Sequence, residues 1–172
     1  MQINGEYRLV SVGALALFSS INLPWSPRIL AQYDYATGGA THSFDTLFGA
    51  RRWEYGPTGI FGAFARNNIN SPGYRLFLVP HRDVSVFAAH RLFWLADSTA
   101  AWQPANLVVS TGHSGDFLGH LVEVSGRWDA HSNLALEAGW ATLIKGRFAR
   151  DAPGAPAPDN VNYFYVQSML RF

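Results

Sequence analysis

The chain has 172 residues, a net charge of +1, 15% charged residues, 15% aromatic residues and no cysteine. Typical soluble domains carry roughly a quarter charged residues, so the composition suits a wall with one apolar and one wet face better than a water-bathed globule. The near-neutral charge offers no nucleic-acid footprint, and the lack of cysteine excludes disulfides, thiolate catalysis and Cys-based metal sites.

No run reaches the ~18 consecutive apolar residues of a membrane helix; Leu9 to Phe18 is the most apolar stretch and contains Ser11 and Gly13. An N-terminal signal peptide ending near Ala31 is disfavoured by Glu6 and by Trp25-Ser26-Pro27-Arg28. The dominant pattern is alternation with a period of two, the mark of half-buried strands. Tyr7 to Leu17 reads as a weak first strand. In the second, Ile29, Ala31, Tyr33 and Tyr35 alternate with Arg28, Gln32 and Asp34. A short third strand is expected over Tyr74 to Val79.

In the fourth strand Val84, Val86, Ala88, Leu92 and Trp94 face out while Ser85 and Arg91 face in, which leaves His90 on the apolar side. Leu118, Val122, Val124 and Trp128 alternate with Glu123, Ser125 and Arg127 in the fifth. Leu134, Leu136, Ala138, Trp140 and Ile144 alternate with Glu137, Lys145 and Arg147 in the sixth. The last strand sets Phe164, Val166, Ser168, Leu170 and Phe172 against Tyr163, Tyr165, Gln167, Met169 and Arg171.

Short connections fall near 18–26, 80–83 and 129–132, and long ones near 38–72, 97–116 and 148–160. Bacterial outer-membrane barrels place short turns in the periplasm and long loops outside. The predicted fold class is therefore all-β, an antiparallel transmembrane β-barrel, with residues 1–172 forming a single barrel domain. Seven strands do not close such a barrel, and an open edge in lipid leaves backbone groups unpaired. The expected reading is the C-terminal part of a larger barrel; the alternative is a closed eight-strand barrel with one more strand inside 38–72.

Three ordered landmarks carry a resemblance. Pro24-Trp25-Ser26-Pro27-Arg28 leads into Tyr33-Asp34-Tyr35-Ala36-Thr37-Gly38-Gly39. Phe44-Asp45-Thr46-Leu47-Phe48 precedes Arg51-Arg52-Trp53-Glu54-Tyr55-Gly56. Asp159-Asn160-Val161-Asn162-Tyr163-Phe164-Tyr165-Val166-Gln167 runs to Arg171-Phe172. Together they resemble the alginate-export family of outer-membrane barrels. The departures are Thr37-Gly38-Gly39 in place of Ser-Gly-Asp and Thr46 in place of proline. The resemblance implies an eighteen-strand barrel in the bacterial outer membrane that passes an anionic, alginate-like polysaccharide outward by passive diffusion. The partners so implied are that polymer, outer-membrane lipid and periplasmic export proteins, with no nucleic acid and no cofactor. A general or anion-preferring porin is the alternative.

Fixed positive charge along a narrow wet path sets the sign preference of a pore, and Arg suits carboxylates because its planar fork bonds in a bidentate way. The lumen candidates are Arg28, Arg91, Arg127, Lys145 and Arg147, with Arg171 a rim residue. Arg51, Arg52 and Arg66 are candidates for a constriction built by the long loop. Glu123, Glu137 and Asp34 share the inner phase, so a salt-bridge lattice competes with a positive path. Trp25, Trp94, Trp102, Trp128 and Trp140 mostly fall near strand ends, as in an interfacial girdle. A third, enzymatic reading rests on His113-Ser114-Gly115-Asp116 and on His42-Ser43 with Asp45, as in a barrel-embedded lipid hydrolase. Neighbours in sequence seldom face each other as a triad requires, so no catalytic residue is assigned, and no metal site is expected from the spacing of the six histidines.

Overall fold

A computed structural model describes residues 11–19, 23–39, 62 and 64–172. It forms one antiparallel sheet in which each strand pairs with the next in sequence, in the order β1 to β7. The strands are β1 (Ser11–Ser19), β2 (Arg28–Ala36), β3 (Ile69–His81), β4 (Val84–Trp94), β5 (Phe117–His131), β6 (Leu134–Lys145) and β7 (Val161–Leu170). The seven predicted strands are all present. β3 begins at Ile69, inside the stretch read as a loop, because Asn70, Pro72 and Tyr74 continue the outward phase while Ile69, Ser71 and Arg75 continue the buried one. The eighth strand proposed for 38–72 falls largely on positions outside the described residues, as do Tyr7 to Val10 of the first predicted strand.

The turns at 23–27, 82–83 and 132–133 lie at one end of the sheet, and the long connections lie at the other. Both two-residue turns sit beside a register shift, between Leu78 and His81 and between Asp129 and His131. The turn Leu23 to Ser26 closes with the amide of Ser26 donating to Leu23 at 3.1 Å, and the carbonyl of Trp25 accepts from Val79 at 2.7 Å.

The phase holds across the sheet. Ile29, Tyr33, Tyr74, Val124, Trp128, Leu136, Trp140, Ile144, Phe164, Val166 and Leu170 are all exposed on one face. Gln32, Asp34, Ser71, Arg75, Arg91, Glu123, Ser125, Glu137 and Lys145 are buried on the other. In a soluble domain such an inversion would leave an apolar patch far beyond the few hundred Å² usually exposed.

Two placements depart from simple alternation. Leu118 is not on the outer face but lies in the core at 1% exposure. Phe93 pairs with Gly119 while Trp94 pairs with Phe117, so Leu118 is the extra residue of a β-bulge, and its side chain turns inward. Gly119 has φ +141, where a Cβ would run into the carbonyl of Ile144. Arg147 does not continue β6. The strand stops at Lys145, and Arg147 opens a one-turn helix, α1 (Arg147–Asp151), with Phe148 and Ala149 buried. Trp102 is likewise no girdle residue; it is buried in the loop segment, bridged to Leu107.

The core sits at the loop end of the inner face, where Phe64, Trp102, Leu107, Val109, Phe148 and Ala152 fold onto Ala36, Ile69, Phe93, Leu121 and Leu143. Phe64 stacks on Phe93 with centroids 3.6 Å apart. Asn68, in a left-handed conformation at φ 46, fastens this layer. Its amide group donates to the carbonyls of Asp97 and Ala101 at 3.1 and 3.2 Å and accepts from the Asp97 amide at 2.8 Å.

Gly119→Ala is expected to cost about 1–3 kcal/mol through strain at the bulge, read as a lower urea midpoint in detergent by tryptophan fluorescence. A midpoint equal to wild type would show that the bulge does not depend on glycine.

Candidate functional site on the inner face

The register arranges the inner side chains in rows that cross the sheet. Nearest the loop end, Asp34, Ser71, Phe93, Gly119 and Lys145 lie side by side; beneath them come Gln32, Gly73, Arg91, Leu121 and Leu143. The next row is Leu30, Arg75, Ala89, Glu123, Ala141 and Tyr163, and below it Arg28, Phe77, Phe87, Ser125, Gly139 and Tyr165. Closest to the turns are Ser85, Arg127, Glu137 and Gln167. The loop layer covers the first two rows, while Phe77, Phe87, Tyr163 and Gln167 in the lower rows are only half-buried.

Asp34 is the hub. The guanidinium of Arg91, which is 5% exposed, donates to one of its carboxylate oxygens, and that of Arg66 donates to the other at 3.2 Å. Gln32 adds an amide 3.5 Å away. A carboxylate 9% exposed would be costly to bury without such partners. The hub joins β2 to β4 and draws the end of the β2–β3 connection onto the sheet. The landmark around it has a local logic: Ala36 is fully buried, the carbonyl of Thr37 accepts from the Asn68 amide at 3.3 Å, and Gly38 leaves the room that the Asn68 side chain fills.

A second polar group forms on β5 to β7. The Tyr165 hydroxyl donates to Glu137 at 2.6 Å, and its ring lies over Gly139, directly opposite in the register. A side chain at 139 would occupy the space of that ring, so Gly139 and Tyr165 are a matched pair.

The predicted site residues separate into groups. Arg91 and Lys145 are buried on the inner face and Arg127 lies on it half-exposed, 2.6 Å from Asp129. Arg28 is exposed on the same face with its guanidinium carbon 5.8 Å from the centre of the Phe77 ring. The ammonium of Lys145 donates to the carbonyl of Ala157 at 2.5 Å, which straps the β6–β7 connection to the sheet. Arg66 reaches the inner face through Asp34. Arg147 is off the wall, bonded to the carbonyl of His113 at 3.2 Å and facing Asp151 one turn along α1. Arg51 and Arg52 lie outside the described residues, as do His42, Ser43 and Asp45.

Sequence reasoning missed Arg75, which is buried among Arg91, Glu123 and Asp34 with its guanidinium carbon 6.0 Å from the centre of the Phe87 ring. Starting β3 at Ile69 would have placed Arg75 in the inner phase. At the hydrolase candidate, His113 is exposed, whereas Ser114 is buried and its hydroxyl donates to the carbonyl of Asp151 at 3.4 Å. Ser114 thus fastens one loop to another. His90, on the outer face, meets His120 across the β4–β5 pair at 3.2 Å between ring nitrogens.

Removing the hub is expected to be more damaging than removing either cation. Asp34→Ala takes a shared carboxylate from two guanidiniums and should cost about 3–5 kcal/mol. Arg66→Ala leaves Arg91 in place and should cost less. Urea unfolding of the two variants and their double mutant measures the coupling, and equal costs would remove Asp34 from the centre of the network. Tyr165→Phe should lower stability by about 1–3 kcal/mol, because the Glu137 carboxylate loses a buried donor.

Known proteins bear on this wall in one respect. The comparison with curated proteins gives no match, and that with solved structures gives none either. The family model described as alginate export matches residues 12–162, most of the chain, and takes in the whole of β2 to β6 with the Asp34 hub. With one apolar face, one charged face and this match, the chain belongs to the alginate-export family.

Proposed function

We propose that the chain forms part of the wall of a bacterial outer-membrane channel through which an anionic, alginate-like polysaccharide leaves by passive diffusion. The observation that carries this reading is the division of the sheet. The outer face is apolar and aromatic, and Arg28, Arg66, Arg75, Arg91, Arg127 and Lys145 stand on the inner face beside Asp34, Glu123, Asp129 and Glu137. Among the described residues these cations exceed the acids, and such an excess lowers the cost of moving carboxylates through a low-dielectric wall. The acids hold the guanidiniums in place, as preorganised donors require.

Membrane placement is supported by the position of the aromatics. Trp128 lies outward beside the turn end, and Trp94 and Phe117, 5.2 Å apart, lie at the loop end, as the two interfaces of a bilayer favour. Among the described residues, β1 and β7 each pair with a single neighbour. An unpaired edge in lipid leaves backbone donors and acceptors without partners. The wall is therefore read as part of a larger closed barrel, of eighteen strands in the arrangement the resemblance implies, with the connections near 38–68, 97–116 and 148–160 outside the cell. Outer-membrane lipid on the apolar face and periplasmic export proteins at the turn end are the partners of this reading. A general or anion-preferring porin is the second reading, favoured in its general form by the extent to which Asp34 offsets Arg91 and Arg66.

The natural gene product, purified in detergent and inserted in planar bilayers, should conduct with a preference for anions and be blocked reversibly by polyuronate. The preference should fade as salt rises from about 0.1 M to about 1 M, where the screening length drops from about 10 Å to about 3 Å. Arg127→Glu should reduce it at low salt. Anion-preferring conductance with no polyuronate block selects the porin; cation preference or no conductance rejects the channel.

A further inference from the structure

We propose that Phe77, Phe87 and Arg28 form a subsite on the inner face that holds one carboxylated pyranose ring. The proposal rests on the channel reading above, because it takes the inner face to be wet. Phe77 and Phe87 are direct register partners on β3 and β4, with centroids 5.3 Å apart and planes tilted by 58°. They sit in a row whose other members are Arg28, Ser125, Gly139 and Tyr165, on the half of the inner face that the loop layer, among the described residues, leaves open.

Two half-buried phenyl rings on a charged, wet face are out of place as packing residues. The loop core that absorbs Phe64, Phe93 and Phe148 lies at the opposite end of the strands. Nor do these rings join the apolar outer face, since the register puts them on the side of Arg75 and Ser125. Rings tilted against each other form a shallow trough. One face of a pyranose is lined by C–H groups, and placing it on an aromatic ring releases water from both, as when a base stacks on an aromatic side chain.

Charge chooses among sugars. Arg28 is exposed, with its guanidinium carbon over the Phe77 ring, 5.8 Å from its centre, and the guanidinium carbon of Arg75 lies over the Phe87 ring at 6.0 Å. A carboxylate at C6 of the sugar, in the plane of the ring, would meet the Arg28 fork while the C–H face meets phenyl. A neutral hexose would use the rings alone, and a small inorganic anion the guanidinium alone. The trough thus matches a repeating uronate, one ring per subsite, and gives a polymer a point of slow passage at the turn end of the wall.

Calorimetric titration of the detergent-solubilised natural gene product with a short oligouronate, beside the neutral oligosaccharide of the same linkage, tests this. Wild type should bind the oligouronate. Phe77→Leu and Phe87→Leu keep the apolar volume and lose the flat face, and each should weaken binding about tenfold, the scale of one lost stacking contact. Phe77→Tyr and Phe87→Tyr should bind as wild type does. Arg28→Gln should weaken the oligouronate and leave the neutral sugar unchanged. If the leucine variants fail to fold, ring-labelled phenylalanine in wild type replaces them, and the oligouronate should shift the Phe77 and Phe87 signals. No binding by wild type, unchanged affinity in both leucine variants, or unmoved ring signals overturns the subsite. Bilayer conductance separates the two proposals. A blocking, anion-preferring pore with ring-independent binding keeps the channel and rejects the subsite. Ring-dependent binding in a protein that does not conduct keeps the subsite and rejects the channel.

Discussion

Successive side chains of a strand leave on opposite faces, so a slip of one residue in any pairing from β2 to β7 would carry Asp34, Arg91 or Glu137 to the apolar side of the sheet. The cost of moving those charges onto the apolar face, away from their partners, is what pins the register. The two faces are thus opposite consequences of one pleat. The outer face is free to be Ile29, Trp140 and Phe164 because the inner face carries the polar load, and the inner face can carry it because its charges have partners there.

Those partners decide how much field the wall presents. Asp34 holds both Arg91 and Arg66, and Glu137 is held by Tyr165. Fixed geometry of this kind makes a guanidinium a better receiver of a carboxylate than a mobile one, at the cost of part of its charge. Arg28, exposed beside Phe77, is less engaged than Arg91. In the channel proposed above, a polyanion would meet a stiff lattice in the upper rows and, among the described residues, a more open, ring-lined stretch below it.

The loop end is built differently. Its connections are joined to each other and to the strands by Asn68, by the Lys145 ammonium on the Ala157 carbonyl and by Ser114 on the Asp151 carbonyl, with Phe64, Trp102 and Phe148 filling between. Each polar tie satisfies a group that the apolar layer would otherwise leave unpaired. The layer covers the loop end of the inner face, and the single turn of α1 is what takes Arg147 off the sheet.

Much of this was legible in the chain itself. Period-two alternation alone specified seven strands, the outward phase of Ile29, Val124, Trp140 and Phe164 and the inward phase of Arg91, Arg127 and Lys145, since side-chain direction in a strand is a local property. The ordered landmarks pointed to the family, which the match over residues 12–162 bears out. Tertiary structure decided the rest. Asp34 and Arg91 are 57 positions apart, and only the folding of β2 to β4 brings them together. Leu118 left its expected face because a bulge at Gly119 adds one residue to one strand, and a bulge is set by the partner strand as much as by its own. Arg147 kept the parity of β6 but lost its place on the wall once Phe148 and Ala149 found the loop core. Periodicity gives a residue its face; pairing partners and long-range packing determine where the strand stops and which charge it meets.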